Sequence, residues 1–70
     1  MFIRSQNKKI LTEIHDVEID SAKQIWGSGS LIGEYSTEQK ALLVLDMIEK
    51  VSMYSGNTLF QMPQDDELEL

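Results

Sequence analysis

One segment of the chain has the composition of a long helix, and it constrains how everything around it must fold. Strong helix formers run from Ala41 to Lys50. The preceding residues Ser36-Thr37-Glu38-Gln39 fit a capping box, with Ser36 as the N-cap and Gln39 reaching back to its amide. Gly56-Asn57 is a natural C-terminal stop. The pattern predicts one α-helix over residues 37–54.

The apolar arc of this helix is wider than one sheet requires. At about 100° per residue, the face expected to pack on a sheet consists of Ala41, Val44, Leu45, Ile48 and Val51. A neighbouring flank carries Leu43, Met47 and Tyr54. These three residues either cover the edge of a small sheet or form an interaction surface, because Met and Tyr are common in interfaces.

Short alternating runs predict strands before the helix. Residues 10–14 and 17–20 alternate apolar and polar side chains, the period of a half-buried strand, and His15-Asp16 between them is a plausible tight turn. These two runs could form a hairpin. The same alternation leaves Glu13, Glu18 and Asp20 on a solvated face, although three carboxylates could also form an acid/base pair or bind a hard metal ion.

The clearest turn is Gly27-Ser28-Gly29-Ser30, since glycine accepts a positive φ without steric cost. It predicts a β-hairpin over residues 23–35, in which Gly33 marks a bulge or a close approach of another group. After the helix, residues 58–62 form a last short strand, which Pro63 ends and which can return beside the first strand.

These elements predict an α+β fold. We expect an antiparallel sheet of four or five strands with a single helix packed on one face, in the order β-β-β-β-α-β. Residues 1–63 make one domain. Residues 64–70 are dense in acid and contain no glycine, aromatic or β-branched residue, so we expect a disordered tail.

Charge and cysteine content limit the function. The formal charge is −6, and four of the twelve acidic residues lie in the tail, which leaves eight against six Lys or Arg elsewhere. A body without a basic stripe does not favour direct nucleic-acid binding. The absence of cysteine argues for the cytoplasm. No apolar run is long enough for a signal peptide or a membrane span.

Motifs that resemble catalytic ones have simpler interpretations. His15-Asp16 with a serine could suggest a nucleophilic triad, but Gly27-Ser28-Gly29 lacks the spacing of a nucleophile elbow. The glycine-serine loop has no following lysine to bind a phosphate. Trp26 is either a core residue or an interface anchor. We therefore expect no enzyme activity, no cofactor and no metal.

Three blocks of the sequence resemble a family of small proteins of Gram-positive bacteria, their phages and mobile elements, a family without an assigned activity. The blocks are residues 1–9, residues 31–38 together with Ala41 and residues 44–48, and residues 60–65. The resemblance implies an antiparallel sheet with one helix and a native gene product. It implies no catalytic or binding residue.

The function expected from the sequence is a non-enzymatic interaction module, an accessory protein of a phage or mobile element that binds a host protein or a second copy of itself as a homodimer. The first alternative is an acidic inhibitor of a nucleic-acid-binding bacterial enzyme, in which carboxylates imitate phosphates. The second is a binder of a small ligand, for example a nucleotide, at a dimer interface.

Overall fold

The computed structural model describes residues 1–53 and 58–69. In chain order the elements are β1 (Phe2–Arg4), β2 (Leu11–Glu13), β3 (Val17–Ile19), β4 (Gln24–Gly27), β5 (Ser30–Glu34), α1 (Glu38–Ser52), β6 (Leu59–Gln61) and a short 3-10 helix (Asp65–Glu67). The described residues thus form a small α+β structure with one α-helix, as the sequence predicts. No helix in these two ranges is long and apolar enough to cross a membrane.

The strands form two three-stranded sheets, which corrects the expectation of one larger sheet. The first sheet has the strand order β2-β1-β6, and the second has the order β3-β4-β5. Five strands precede the helix instead of four. The last strand does lie beside the first, but the β1–β6 pair is parallel, so the first sheet is mixed and not purely antiparallel.

The predicted hairpin between residues 10–14 and 17–20 does not form. β2 pairs with β1, whereas β3 pairs with β4. The chain leaves the first sheet after Ile14, whose amide donates to the Met1 carbonyl oxygen. It enters the second sheet past Asp16, whose carbonyl oxygen accepts from the Ser28 amide. Three residues, 14–16, thus carry the chain from one sheet to the other.

The predicted hairpin over residues 23–35 is confirmed as β4 and β5. Ser28 and Gly29 form its two-residue loop, with φ of 47° and 85°, the backbone twist that suits the right-handed twist of paired strands. The register shifts opposite Ile25 and Trp26, which is the irregularity expected near Gly33. Gly33 is also closely packed, because a Cβ atom there would lie 2.9 Å from Tyr35 Cε2.

The helix begins one residue later than predicted, at Glu38. Thr37 is the N-cap, since its Oγ1 accepts from the Lys40 amide at 3.1 Å. Ser36, the predicted N-cap, is bonded elsewhere: its amide and hydroxyl both donate to the carboxylate of Asp65. The predicted stop at Gly56-Asn57 lies outside the described residues.

The core lies between the helix and the inner faces of the sheets. Its buried side chains come from every region of the chain and are Ile3, Ile25, Ile32, Tyr35, Ala41, Val44, Ile48, Phe60, Met62 and Leu68. From the helix, Leu43, Met47 and Val51 pack against this core, and Leu45, expected on the core face, is only half-buried. The buried face is therefore rotated toward Met47 and away from Leu45.

Residues 64 to 68 pack on the domain, where the sequence predicts a disordered tail. The carboxylate of Asp65 accepts from the Ser36 amide at 2.7 Å and from Lys40 Nζ at 3.1 Å. Two residues further on, the 3-10 helix ends at Glu67, and the Leu68 side chain is buried in the core. We call residues 64–68 the C-terminal clasp. Leu70 lies outside the described residues.

Two further hydrogen bonds hold the start of the clasp. The Gln64 side chain donates to the Gln6 carbonyl oxygen at 2.7 Å, and the Tyr35 hydroxyl donates to the Pro63 carbonyl oxygen at 2.8 Å. Burial raises the pKa of Tyr35, and the negative charges of Asp65 and Glu67 add to that effect. The Tyr35 hydroxyl therefore remains a neutral donor over the whole neutral pH range.

Candidate interaction face

The three carboxylates that could have formed a polar site are divided between the two sheets. Asp20 closes the turn between β3 and β4: its Oδ1 accepts from the Ala22 and Gln24 amides, and its Oδ2 accepts from Trp26 Nε1 at 2.8 Å. The Trp26 hydrogen bond is the largest of the contacts that lower the pKa of Asp20. Asp20 therefore has a structural role in its turn.

Trp26 is half-buried and fixed by this hydrogen bond to Asp20. The hydrogen bond fixes the position of the indole ring on the second sheet. This contact supports the structural interpretation of Trp26 over its interpretation as an interface anchor, because the only polar atom of its side chain is already hydrogen-bonded within the chain.

His15, Asp16 and Ser28 are neighbours, but their contacts run through the main chain. Ser28 Oγ accepts from the His15 amide at 2.9 Å, and the Ser28 amide donates to Asp16 Oδ1 at 3.2 Å. The His15 ring extends to Glu13, with Nε2 and Oε1 4.0 Å apart. A nucleophilic triad instead requires the imidazole to hydrogen-bond to the serine hydroxyl. These contacts fix the loop of the hairpin.

The same contacts argue against phosphate binding by the glycine-serine loop, since the Ser28 amide already donates to Asp16. Over residues 1–53 and 58–69, no group of three or more His, Asp or Glu side chains is placed to hold a metal ion. A shallow cleft of about 280 Å³ lies between residues 5–7 and residues 31–34. It is smaller than the roughly 300 to 1,000 Å³ of typical ligand sites.

The interaction flank predicted on the helix is only partly exposed. Leu43 and Met47 are half-buried and pack against the core, and Tyr54 lies outside the described residues. The exposed apolar side chains of α1 and its C-cap are instead Leu42 and Met53, which are 46% and 78% exposed.

The first sheet presents a larger exposed apolar surface. β1 and β6 bury their middle residue, β2 half-buries its middle residue, and all three strands turn the two flanking residues outward. Phe2, Leu11 and Leu59 are thus 41%, 55% and 59% exposed. We call this surface the outward face; its six side chains are Phe2, Arg4, Leu11, Glu13, Leu59 and Gln61.

Sequence reasoning missed these apolar residues for a simple reason. Each strand of the first sheet is three residues long, too short for a reliable alternation. The signal that could have found them is the identical spacing in residues 2–4 and 59–61, where a buried apolar residue lies between two outward ones. That spacing indicates a shared outward face only when β1 is known to pair with β6, and this pairing joins residues far apart in the chain.

No known family model matches the chain, and no curated protein or solved structure matches it significantly.

Proposed function

We propose that the protein is a non-enzymatic binding module that contacts a protein partner through the outward face. One observation carries the proposal: three apolar side chains from three adjacent strands are about half exposed on a single face. Isolated exposed leucines are common on protein surfaces, but apolar residues that adjoin across strands form a continuous patch.

The size of the patch agrees with this function. With about 200 Å² per large apolar side chain, the exposed fractions of the three residues give about 300 Å² of apolar surface. Patches of that size are about the largest on an ordinary monomer and are often functional. Arg4 and Gln61 lie beside the patch and supply polar groups that an interface rim requires.

The acidic-inhibitor function is the second candidate, and the C-terminal clasp bears on it directly. Imitation of phosphates needs carboxylates on a rigid surface, and the clasp is ordered rather than free. However, Asp65 and Glu67 accept hydrogen bonds within the chain, from Ser36 and from the Gln64 amide. That leaves Asp66 and Glu69 as the outward acids of this segment. Two carboxylates imitate a phosphate backbone poorly, which is why the protein-binding function is preferred.

The resemblance to small proteins of Gram-positive bacteria and their phages supports an accessory role in such a cell. In that setting the partner is a host protein or the protein itself. A short chain gains from either, because association buries area that a core of this size lacks.

The experiment is site-specific photocrosslinking in a Gram-positive host. A benzophenone amino acid replaces Leu59 or Leu11 on the outward face, and replaces Leu42 as a control that is an exposed leucine on the helix. The proposal predicts discrete protein adducts from the first two positions and a much lower yield from the third. Equal yields from all three positions, or no adduct at all, would refute it.

A further inference from the structure

We infer that the outward face binds a second copy of this chain, with the two sheets crossed face to face about a two-fold axis. This inference rests on the proposed function and names its partner. It comes from the arrangement of apolar and charged residues on the face, which the strand register fixes.

The register places the six residues in two rows across the sheet. Glu13, Phe2 and Leu59 are partners in one row. Leu11, Arg4 and Gln61 are partners in the next row. Neighbouring strands lie about 4.8 Å apart, and residues two apart on one strand lie about 6.8 Å apart.

In this arrangement the apolar residues form a bent band. Leu11 lies diagonal to Phe2, and Leu59 lies beside Phe2 in the same row, so the line of best fit through the three residues runs obliquely across the sheet. Arg4 and Glu13 are on opposite sides of the line, diagonal to each other, and both side chains face solvent. Arg4 forms no ion pair with Glu13 within the described part of the chain, where Glu13 lies nearest to His15.

A two-fold axis along this line makes the face complementary to itself. Each of the three apolar residues then lies within about 4 Å, in projection, of its own symmetry mate. Arg4 of each copy lies opposite Glu13 of the other, which gives two symmetric ion pairs. The strands of the two copies cross at roughly 70°, close to the orthogonal class of sheet packing.

The charge of the chain favours this face over others for self-association. The protein carries −6, so two copies repel each other in general. On the outward face, the single positive charge of Arg4 offsets the single negative charge of Glu13. Two copies can therefore approach each other through this face without placing like charges opposite each other. A strongly basic partner would instead place a cation opposite Arg4.

The available area suits a reversible dimer. The two larger dimensions of the chain are 31 and 21 Å, which limits any flat face to at most about 650 Å² per copy. Two such faces bury at most about 1,300 Å², at the lower limit of the standard size. A face of at most this size is expected to form a weak, reversible dimer.

Charge reversal tests the arrangement. Sedimentation equilibrium from about 1 to 500 µM is measured for the wild type, Arg4→Glu, Glu13→Arg and the double reversal. Each single reversal opposes like charges twice per dimer and should weaken association about 10- to 100-fold. The double reversal restores both pairs with opposite polarity and should return the dissociation constant to within about threefold of the wild type.

Two matched controls separate this effect from a change in total charge. Lys50→Glu and Glu18→Arg make the same charge changes at exposed positions of α1 and β3, and should leave dimerisation within about twofold. Circular dichroism verifies that all variants fold. The inference is overturned if the wild type is monomeric throughout the concentration range. It is also overturned if the double reversal dimerises no more tightly than the single reversals. If the chain is monomeric and Leu59 still crosslinks to a different protein, only this inference fails; if neither occurs, the proposed function fails with it.

Discussion

Leu68 is the buried anchor of the C-terminal clasp, and replacing it with alanine tests whether that acidic segment is part of the folded domain. The Leu68 side chain is 8% exposed and belongs to the same core as Ile3 and Val44. A disordered tail would leave this leucine in water in both the folded and the unfolded state. The substitution then would not change the free energy of unfolding.

The expected cost follows from the burial. Removing a buried leucine side chain beyond its Cβ costs about 2 to 5 kcal/mol. Leu68 lies near the end of the described chain, where neighbouring residues can relax into the space, so we expect about 2 to 3 kcal/mol. A domain of this length has a total stability of roughly 4 to 10 kcal/mol. The variant should therefore still fold, with a thermal midpoint lowered by roughly 8 to 20 °C.

Urea unfolding followed by circular dichroism measures this change. The midpoint should fall by about 1 to 2 M with an unchanged slope, because the surface exposed on unfolding hardly changes. Leu68→Val should lie between the wild type and Leu68→Ala. Glu69→Ala, at the exposed neighbouring position, is the control and should match the wild type. A Leu68→Ala midpoint indistinguishable from that of Glu69→Ala would show that the clasp does not pack.

Three further predictions concern local contacts. Thr37→Ala should lower the free energy of unfolding in urea by about 1 kcal/mol through loss of the N-cap, and by the same amount in an Asp65→Asn background. The effect of Ser36→Ala should instead disappear in that background, and equal behaviour of the two substitutions would contradict the capping assignment. Gly33→Ala should cost about 1 to 3 kcal/mol because the new Cβ meets the Tyr35 ring, and a neutral result would show that the strand can shift. The hydrogen bond that the Ser36 amide donates to Asp65 lowers the pKa of this carboxyl below its usual 3.8 in the folded state, so its contribution to stability is present above that pH and is lost as pH falls through the folded value. The acid side of a stability profile should flatten in Asp65→Asn, and an unchanged profile would contradict this.

The parts of the fold that the sequence predicted are those set by local interactions. The β4–β5 hairpin follows from Ser28-Gly29, whose positive φ values select a two-residue loop. The helix follows from its own composition, and the error of one residue at its N-cap arose because Ser36 and Thr37 are both favourable N-cap residues. Only Asp65, 29 positions from Ser36, decides between them.

The parts that the sequence did not predict depend on contacts between distant residues. β2 alternates equally well as a partner of β3 or of β1, and the preference for β1 depends on how the whole chain closes. The acidic composition around Leu68 indicates disorder, while the Lys40 and Ser36 contacts that hold the segment are invisible until the helix is placed. The outward face could not be predicted for the same reason, since its exposure depends on which side of the first sheet the core covers.

The central claim is that the outward face is a protein-contact surface, and concentration-dependent amide NMR tests it most directly. Spectra of the ¹⁵N-labelled protein from about 10 to 500 µM locate self-association residue by residue. The structure predicts that shifts with rising concentration cluster at Phe2, Arg4, Leu11, Glu13 and Leu59, while Leu42 on the helix stays unchanged. The claim is contradicted if the shifts are confined to α1 around Leu42 and Met53. It is also contradicted if the spectra do not change with concentration and photocrosslinking at Leu59 gives no adduct.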